Sequence, residues 1–594
     1  MMVLHELYSL YERMVKDPDY NVPTMGWSSE KVSWEIIIDR EGFIREILPL
    51  VSEGEERSED YLVLQVPEHE PRSSGIKPYF CCDNGKYLFG LDEKRGSKCL
   101  DASRRLHHDV LDACDDAEAL ALLRFFDRED SLAGIGTSVV EAISNGKLMV
   151  FRMLGADHYI HDARPIKEAW NAYCSSDSEV PVGYCAVTGK KAPCARLFPQ
   201  VTGLPSKNAQ SAGVSLVSFN FDASESYGLK KTYNASISKD AAFAAGTALK
   251  ELLGNRERRI RFGDTFVVFW ADRPARREES VVFQLFGGSN RAEDEETRQR
   301  LQETIKSMRL GKTLAEKFDT ETKFCILGVS PNAARLSVRF FYQSTFGNLM
   351  RSYVQYIEDI EMVGVKTTAL GPLLNQLASQ GKPANIPSTL IARSFFALAS
   401  GAAFPEALQQ LILMRMRADH ATKNRWDLGQ RASLLKGCLV RKRRKRGVVV
   451  TERERIEMEL NSNNQSTGYL LGRLFAVLER TQLAALGDVN ASIRDKYIGA
   501  AATTPARVFS TLLRGYEVHL SALRKKSMGL AVKYDKELNE IVAQLSTESP
   551  VLPKTLSSDE QAEFYIAFHQ ELEKLWKGGS GATAPEDNVS AEEE

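Results

Sequence analysis

Two loops combine glycine with hydrogen-bond donors, and both could bind phosphate groups and base edges. The first is residues 71–84, where the segment PRSSGIKP leads into YFCCDN. The second is residues 203–213, which hold Ser, Lys, Asn and Gln between two terminal glycines. Glycine lets a backbone approach a ligand closely. Lysine supplies charge to a phosphate, and Asn or Gln can form paired hydrogen bonds with a base edge.

Eight side chains in these two loops are therefore candidates for reading a DNA groove. We expect Lys77 or Lys207 to contact a phosphate or a base acceptor, and Asn208 or Gln210 to pair with a base edge. The alternative is that both loops are polar surface turns. The complete candidate set is Ser73, Ser74, Lys77, Asn84, Lys207, Asn208, Gln210 and Ser211.

A run of six cations is the densest charge in the chain. It consists of Arg441, Lys442, Arg443, Arg444, Lys445 and Arg446. Six like charges rarely pack, so the run predicts an exposed loop. Residues 301–450 carry 23 Lys and Arg against 10 Asp and Glu, whereas residues 1–150 carry 17 against 29. This asymmetry favours a polyanion partner, and the alternative is a solvated linker.

The sequence contains little that could catalyse a reaction. The segment Gly311-Lys312-Thr313 suggests a phosphate-binding loop, but the glycine that such a loop requires at position 306 is a lysine. The pairs His107-His108 and His158 with His161 lack a third ligand cluster nearby. We therefore expect no enzyme activity, no metal and no cofactor.

Composition indicates an ordinary globular protein. Of 594 residues, 43% are hydrophobic and 26% are charged, and no apolar run is long enough to cross a membrane. The charged N-terminal segment argues against a signal peptide, so a cytoplasmic protein with its nine cysteines reduced is expected.

Hydrophobic periodicity predicts an α+β fold. Residues 4–14 are apolar at helical spacing, and residues 32–38 and 43–50 form two strands around a turn at 39–42. A buried strand is predicted at 264–270. After about residue 350 the strand signal fades. The fold class is thus a large mixed α/β N-terminal region followed by a C-terminal all-α helical bundle.

The last third of the chain predicts a bundle with one basic side. Residues 455–545 repeat apolar side chains at helical spacing, and one stripe is Leu530, Val532, Leu538 and Val542. Such stripes are normally core. We expect the faces opposite the stripes to offer cations to a nucleic-acid backbone: Arg473, Arg480, Arg494, Lys496, Arg507, Arg514, Arg524, Lys525 and Lys526.

Four regions are expected from these patterns. Residues 1–350 are the mixed α/β part, 351–450 a mostly helical basic connection, 451–577 the helical bundle, and 578–594 a flexible acidic tail.

A series of short segments in a particular order carries a resemblance. Leu10–Arg13, Lys31–Trp34, Ser74–Pro78, Cys82–Asn84, Gln210–Ser211, Ser215–Asn220, Ser226–Gly228, Phe269–Ala271 and Ser330–Phe340 belong to it. Through them the chain resembles the large subunit of the type I-C CRISPR Cascade surveillance complex, from its start to about residue 530. Cys194 departs from the pattern, which has an aliphatic residue there.

The resemblance implies a non-catalytic subunit that binds nucleic acid. Such a subunit lies at the 5′ end of the crRNA, reads the protospacer-adjacent motif in double-stranded DNA and helps to open the helix. Its implied partners are crRNA, target DNA, the Cascade backbone subunits, the subunit that holds the 5′ handle and the small subunits. A helicase-nuclease is recruited in trans. Base pairing reads the target, and protein reads only the short motif.

The resemblance also implies that the gene yields a separate small subunit from an internal start, for which Met458 is the candidate. Two other classes of function stay open. One is an RNA-binding scaffold that never reads duplex DNA, and the other is a metal-dependent nuclease.

Overall fold

The computed structural model describes residues 2–17, 20–51, 60–69, 72, 75–175, 180–210, 213–288, 303–309, 318–366, 369–419, 425–487, 491–545 and 551–577. The expected tail at 578–594 and the candidates Ser73, Ser74 and Ser211 lie outside these residues.

Helices dominate the second half of the chain. In order they are α1 (Met2–Met14), α2 (Gly85–Leu88), α3 (Gly96–Leu111), α4 (Ala117–Asp127), α5 (Thr137–Ile143), α6 (Arg164–Ser175), α7 (Lys239–Gly254), α8 (Arg276–Leu285), α9 (303–309), α10 (Phe346–Ile360), α11 (Leu370–Asn375), α12 (Ser388–Ser400), α13 (Glu406–Ala418), α14 (Arg425–Lys445), α15 (Thr467–Leu486), α16 (Ile493–Ala501), α17 (Pro505–Lys526), α18 (Met528–Gln544) and α19 (Ser558–Lys577).

The described strands all lie before residue 346. They are β1 (Trp27–Ile38), β2 (Ile44–Pro49), β3 (Leu62–Pro67), β4 (Cys82–Asn84), β5 (Leu148–Met153), β6 (Val182–Tyr184), β7 (Lys191–Pro193), β8 (Gln200–Val201), β9 (Val214–Ser215), β10 (Arg259–Phe262), β11 (Thr265–Ala271), β12 (Lys323–Asn332) and β13 (Arg335–Thr345). The predicted α+β class, with strands first and helices after, is confirmed.

The chain divides into two compact units. Unit 1 comprises Met1–Leu204, Ala209–Glu251 and Ala333–Arg335, and unit 2 comprises Pro205–Asn208, Leu252–Asn332 and Leu336–Glu594. The four regions expected from the sequence stay a prediction.

Unit 1 is built on a five-stranded sheet whose central strand is β1. Strands β2 and β3 pair antiparallel with different halves of β1, β5 lies parallel to it, and β4 pairs antiparallel with β5. Side chains alternate between the faces of a strand, yet Val32 and Ile36 belong to cores on different faces. A register shift between Val32 and Trp34 accounts for this change.

Unit 2 has one continuous apolar core that runs from β10 to α19. Strand β11 is buried along its whole length between β10 and β12, which explains its unbroken apolar sequence. The helices from α10 onward pack against the same core, so the described part of the C-terminal bundle shares its interior with α10 to α14.

Two glycines let α15 and α19 pack backbone to backbone. A Cβ on Gly468 would overlap the carbonyl oxygen of Glu560, and a Cβ on Gly472 would overlap that of Phe564. Small residues four positions apart lie on one face of a helix, so they form a flat surface that α19 can approach closely.

Candidate nucleic-acid interface

A half-buried arginine, Arg72, organises the described part of the first loop. The Arg72 guanidinium lies between two tyrosine rings, 3.6 Å from the centroid of Tyr79 and 3.7 Å from that of Tyr87. It forms an ion pair with Asp83, whose side chain is fully buried. Burial raises the pKa of the Asp83 carboxyl, and the Arg72 charge opposes that shift. A cation held between two aromatic faces and a carboxylate fixes the described residues of this loop, 72 and 75–84.

The same cluster fixes the backbone on which Lys77 is carried. Arg72 Nε donates to the carbonyl oxygen of Lys77 at 2.7 Å, and the Lys77 amide donates to the hydroxyl of Tyr87 at 3.3 Å. The amide of Tyr79 donates to Asp83 Oδ2 at 2.8 Å. The Lys77 side chain is exposed, so a positive charge is held at a defined place on the surface.

Asn84 has a local role that the sequence analysis did not assign to it. It is the N-cap of α2, and its Oδ1 accepts a hydrogen bond from the Lys86 amide at 3.2 Å. An N-cap side chain satisfies an amide that would otherwise lack a partner. One acceptor position of the Asn84 oxygen is therefore used by the helix cap, and the assignment of Asn84 to motif reading stays a prediction.

A carboxylate fastens part of the second loop. Asp264, in the turn between β10 and β11, accepts from the Ser206 hydroxyl at 2.7 Å and from Asn208 Nδ2 at 2.7 Å. The Asn208 amide also donates to Ser206 Oγ at 3.1 Å. Lys207 lies between these two anchors and is exposed. One donor of Asn208 is thus already used, and Lys207 carries the charge.

Gln210 is held by its backbone and exposes its side chain. Its amide donates to the carbonyl oxygen of Ala333 at 3.2 Å, and its own carbonyl accepts from Gly213 at 3.0 Å. Of the eight candidates, Lys77, Lys207, Asn208 and Gln210 are exposed among the residues that the structure describes, and the Asn208 side chain is held by Asp264.

The run 441–446 is not an exposed loop, and this expectation is corrected. Residues 441–445 are the last turn and a half of α14. Arg441 is only 1% exposed. Its Nε pairs with Asp359 at 2.8 Å, and its Nη1 donates to the carbonyl oxygens of Ala397 at 2.8 Å and Ala402 at 3.0 Å. Arg441 is a structural cation with no surface left for DNA.

Three further members of the run pair with acidic residues. Lys442 lies 2.8 Å from Asp559, Arg443 pairs with Glu563, and Arg444 pairs with Asp359 at 2.5 Å. Lys445 and Arg446 are exposed. Of the six cations expected to contact a nucleic-acid backbone, Lys445 and Arg446 at the end of the run therefore remain candidates. These three acidic partners, Asp359, Asp559 and Glu563, lie more than 80 residues away in the sequence, so no local pattern reveals them.

Arg473 is also a structural residue and not a surface cation. Its side chain is 1% exposed and pairs with Glu571 at 2.8 Å and with Glu537 at 3.0 Å. Lys574 lies 2.7 Å from the same Glu537 carboxylate. The prediction that Arg473 faces DNA is wrong, because this buried network consumes its charge. Arg494 similarly pairs with the buried Glu479 at 3.4 Å.

Helix α17 does present an exposed basic face. Arg507, Arg514 and Lys525 are all exposed and are separated by seven and eleven residues, close to two and three helical turns. They therefore lie along one side of the helix, about 10 Å and about 16 Å apart. Arg514 and Lys525 keep the position that the sequence predicted for them.

One exposed aromatic residue was missed as a candidate. Tyr227 is 99% exposed and has a φ of 54°, in a turn closed by a hydrogen bond from the Leu229 amide to the Ser226 carbonyl oxygen at 2.9 Å. Asn234 holds this turn through the Ser226 amide, which donates to its Oδ1 at 3.0 Å. Tyrosine rarely adopts a positive φ. In the sequence, the signal for this exposed turn was the pair Tyr227-Gly228 among polar residues.

The histidines that the structure describes do not assemble a metal site. Burial lowers the pKa of His107 and of His161 to about 4, as expected of neutral histidines in a core. Within the described residues, no group of three His, Cys, Asp or Glu side chains could hold a metal ion. The same part of the chain contains no helix that is long and apolar enough to cross a membrane.

Comparison with known proteins assigns the family. A search of curated proteins found no match. The family model described as CRISPR-associated protein (Cas_Csd1) matches residues 7–576, which is nearly the whole chain. The chain therefore belongs to the Cas_Csd1 family and is a large subunit of the type I-C CRISPR Cascade complex.

Proposed function

We propose that this subunit binds double-stranded target DNA at the protospacer-adjacent motif and promotes opening of the duplex for pairing with crRNA. It is non-catalytic, and a helicase-nuclease recruited in trans degrades the DNA. Within Cascade it contacts the crRNA, the backbone subunits, the 5′-handle-binding subunit and the small subunits.

The rigid presentation of Lys77 and Lys207 carries this proposal. Each lysine is exposed, and each lies beside a buried or hydrogen-bonded acidic anchor, Asp83 or Asp264. Groove contacts need side chains held in register with the bases, because a flexible lysine contacts phosphate without discrimination. Gln210 adds an amide that can pair with a base edge.

The α17 face, defined as Arg507, Arg514 and Lys525, supports the second part of the proposal, which is the opening of the duplex. These cations have the spacing and exposure to neutralise a nucleic-acid backbone, which gives affinity without sequence preference. Motif reading and backbone binding are thus assigned to different elements.

A gel shift with the assembled complex tests the proposal. Two labelled duplexes carry the same crRNA-matched target and differ only in the flanking motif. We expect tight binding with the motif and weak binding when it is scrambled. Equal binding would overturn motif reading and favour an RNA-binding scaffold, and cleavage of the label with added divalent metal would favour a nuclease.

A further inference from the structure

A cavity of about 510 Å³ lies where α12, α13 and α14 meet in unit 2. We call it the α12–α14 pocket. It is bordered by Arg393, Phe396, Phe404, Glu406, Lys445 and Arg446, together with Lys442 and the short segment between α12 and α13. Its walls are thus both aromatic and basic.

The charge of the pocket is strongly positive. Four cations line it against the single carboxylate of Glu406, a net of +3. Lys442 is engaged by Asp559 at 2.8 Å, and Arg446 lies 3.7 Å from Glu406. Arg393 and Lys445 are exposed and have no ion-pair partner among the described residues. Two cations therefore face solvent beside the pocket with their charge uncompensated, which favours an anionic ligand.

Buried interactions hold the walls in place before any ligand arrives. Arg441 donates to the carbonyl oxygens of Ala397 and Ala402 and lies 4.8 Å from the centroid of the Phe404 ring. The ring of Phe396 packs edge to face against Tyr342 with centroids 5.6 Å apart. The buried arginine of the run 441–446 thus shapes the pocket that the run's exposed cations border.

We propose that the α12–α14 pocket binds one nucleotide of a single-stranded nucleic acid. Arg393, Lys445 and Arg446 hold the phosphate, and the base packs against Phe396. A single strand is required because a paired base inside a duplex cannot reach an aromatic wall. The inference rests on the proposed function, which makes nucleic acid the polyanion that this subunit meets. An acidic protein segment is the competing ligand.

The first test measures binding of a labelled oligodeoxythymidine strand to the assembled complex at several salt concentrations. The variant is Arg393→Gln with Lys445→Gln. The matched control is Lys536→Gln, an exposed lysine on α18 that lies 3.8 Å from Glu540. We expect the double variant to bind several-fold more weakly and its salt slope to fall by up to about 0.7, the contribution of one phosphate contact on a single strand. An unchanged slope overturns the proposal.

The second test separates the base from the phosphate. Phe396→Leu keeps an apolar side chain at this half-buried position but removes the aromatic face. We expect weaker binding of the oligodeoxythymidine strand and unchanged binding of an abasic strand of equal length. Equal loss on both strands would contradict the base contact. Thermal unfolding of each variant shows whether the fold is intact.

Failure of this inference is distinguishable from failure of the proposed function. If the double variant loses assembly with other Cascade subunits but keeps strand binding, the ligand is a protein and the inference is wrong. If motif-dependent duplex binding is absent even in the unmodified complex, the proposed function is wrong.

Discussion

Burial decides which arginines hold the fold and which can meet a ligand. Arg441 and Arg473 are each 1% exposed and pair with buried carboxylates, whereas Arg514 is exposed on α17. In the sequence the three look alike, because each is a cation in a helical segment. Only the distant acidic partners distinguish them, and these are invisible to local patterns.

Replacing Arg441 by methionine should therefore destabilise the protein. The change leaves Asp359 buried beside Arg444 alone, and breaking a buried ion pair costs about 3–5 kcal/mol. Arg514→Met is the matched control and should change the free energy of unfolding by no more than about 0.5 kcal/mol. Chemical denaturation of the two variants checks this. Equal stability would show that Arg441 is not a structural residue.

Tyr227 should be a strained residue whose replacement stabilises the fold. A positive φ costs a non-glycine residue about 1–2 kcal/mol, and asparagine tolerates it better. Tyr227→Asn should raise the free energy of unfolding by about 1 kcal/mol. Tyr184→Asn, at a tyrosine 72% exposed in β6, should bring no gain. A loss of stability in Tyr227→Asn would refute the strain argument, and denaturation midpoints supply the comparison.

At the scale of elements, local signals predicted the regular structure well. The turn at 39–42 between β1 and β2 was expected from its polar residues, and Asp39 Oδ1 accepts from the amides of Glu41 at 3.0 Å and Phe43 at 2.9 Å. Such a turn is fixed by its own residues, so the sequence alone can reveal it.

Elements that depend on distant partners were predicted less well. The end of α14 was interpreted as a loop because its charges are neutralised only by residues from other helices. In α18 half of the predicted stripe was wrong. Leu538 is buried and Leu530 packs against the core, whereas Val532 and Val542 are exposed. Ala531, Tyr534 and Ile541 are buried instead. The prediction used hydrophobicity alone, which does not distinguish these surface valines from core residues.

The close packing of α15 on α19 gives a sharp test at this scale. Gly472→Ala should lower the free energy of unfolding by about 1–3 kcal/mol, because the new methyl group overlaps a backbone carbonyl of α19. Gly515→Ala in α17 is the control, since nothing lies near its added Cβ. Alanine there should stabilise by about 0.5–1 kcal/mol. The melting temperatures of the two variants check this. A shift in the same direction for both Gly472→Ala and Gly515→Ala would contradict this packing.

At the scale of the whole molecule, the net charge of a segment overstates how many of its cations are available to a polyanion. Part of the positive excess in residues 301–450 is neutralised by acids from outside this segment, as in the pairs of Lys442 with Asp559 at 2.8 Å and of Arg443 with Glu563. The polyanion partner stays a prediction, and it depends on the cations of this segment that are exposed.

The candidate site could be located from the sequence only to the level of segments. The described parts of both glycine-containing loops carry exposed lysines. The cap formed by Asn84 is local, because its oxygen accepts from the Lys86 amide, whereas the use of one Asn208 donor depends on Asp264, which is 56 residues away.

The short product that starts at Met458 stays a prediction. The core that α19 shares with earlier helices bears on whether that product could fold alone. In the full chain, α19 packs in one core with α13 and α14, and His569 Nε2 donates to the carbonyl oxygen of Val363 at 2.9 Å. A product without residues before 458 would expose these faces, so we expect it to need a partner surface.

The central claim is that the two loops read the motif while the α17 face binds backbone. The deciding quantity is the ratio of dissociation constants of the assembled complex for duplexes with a scrambled and an intact motif. In the loop variant Lys77→Ala, Lys207→Ala, Gln210→Ala this ratio should fall toward one, since each lost base contact costs about 1–3 kcal/mol. In Arg514→Ala both constants should rise together and the ratio should hold. A loop variant that keeps the full ratio would contradict the account.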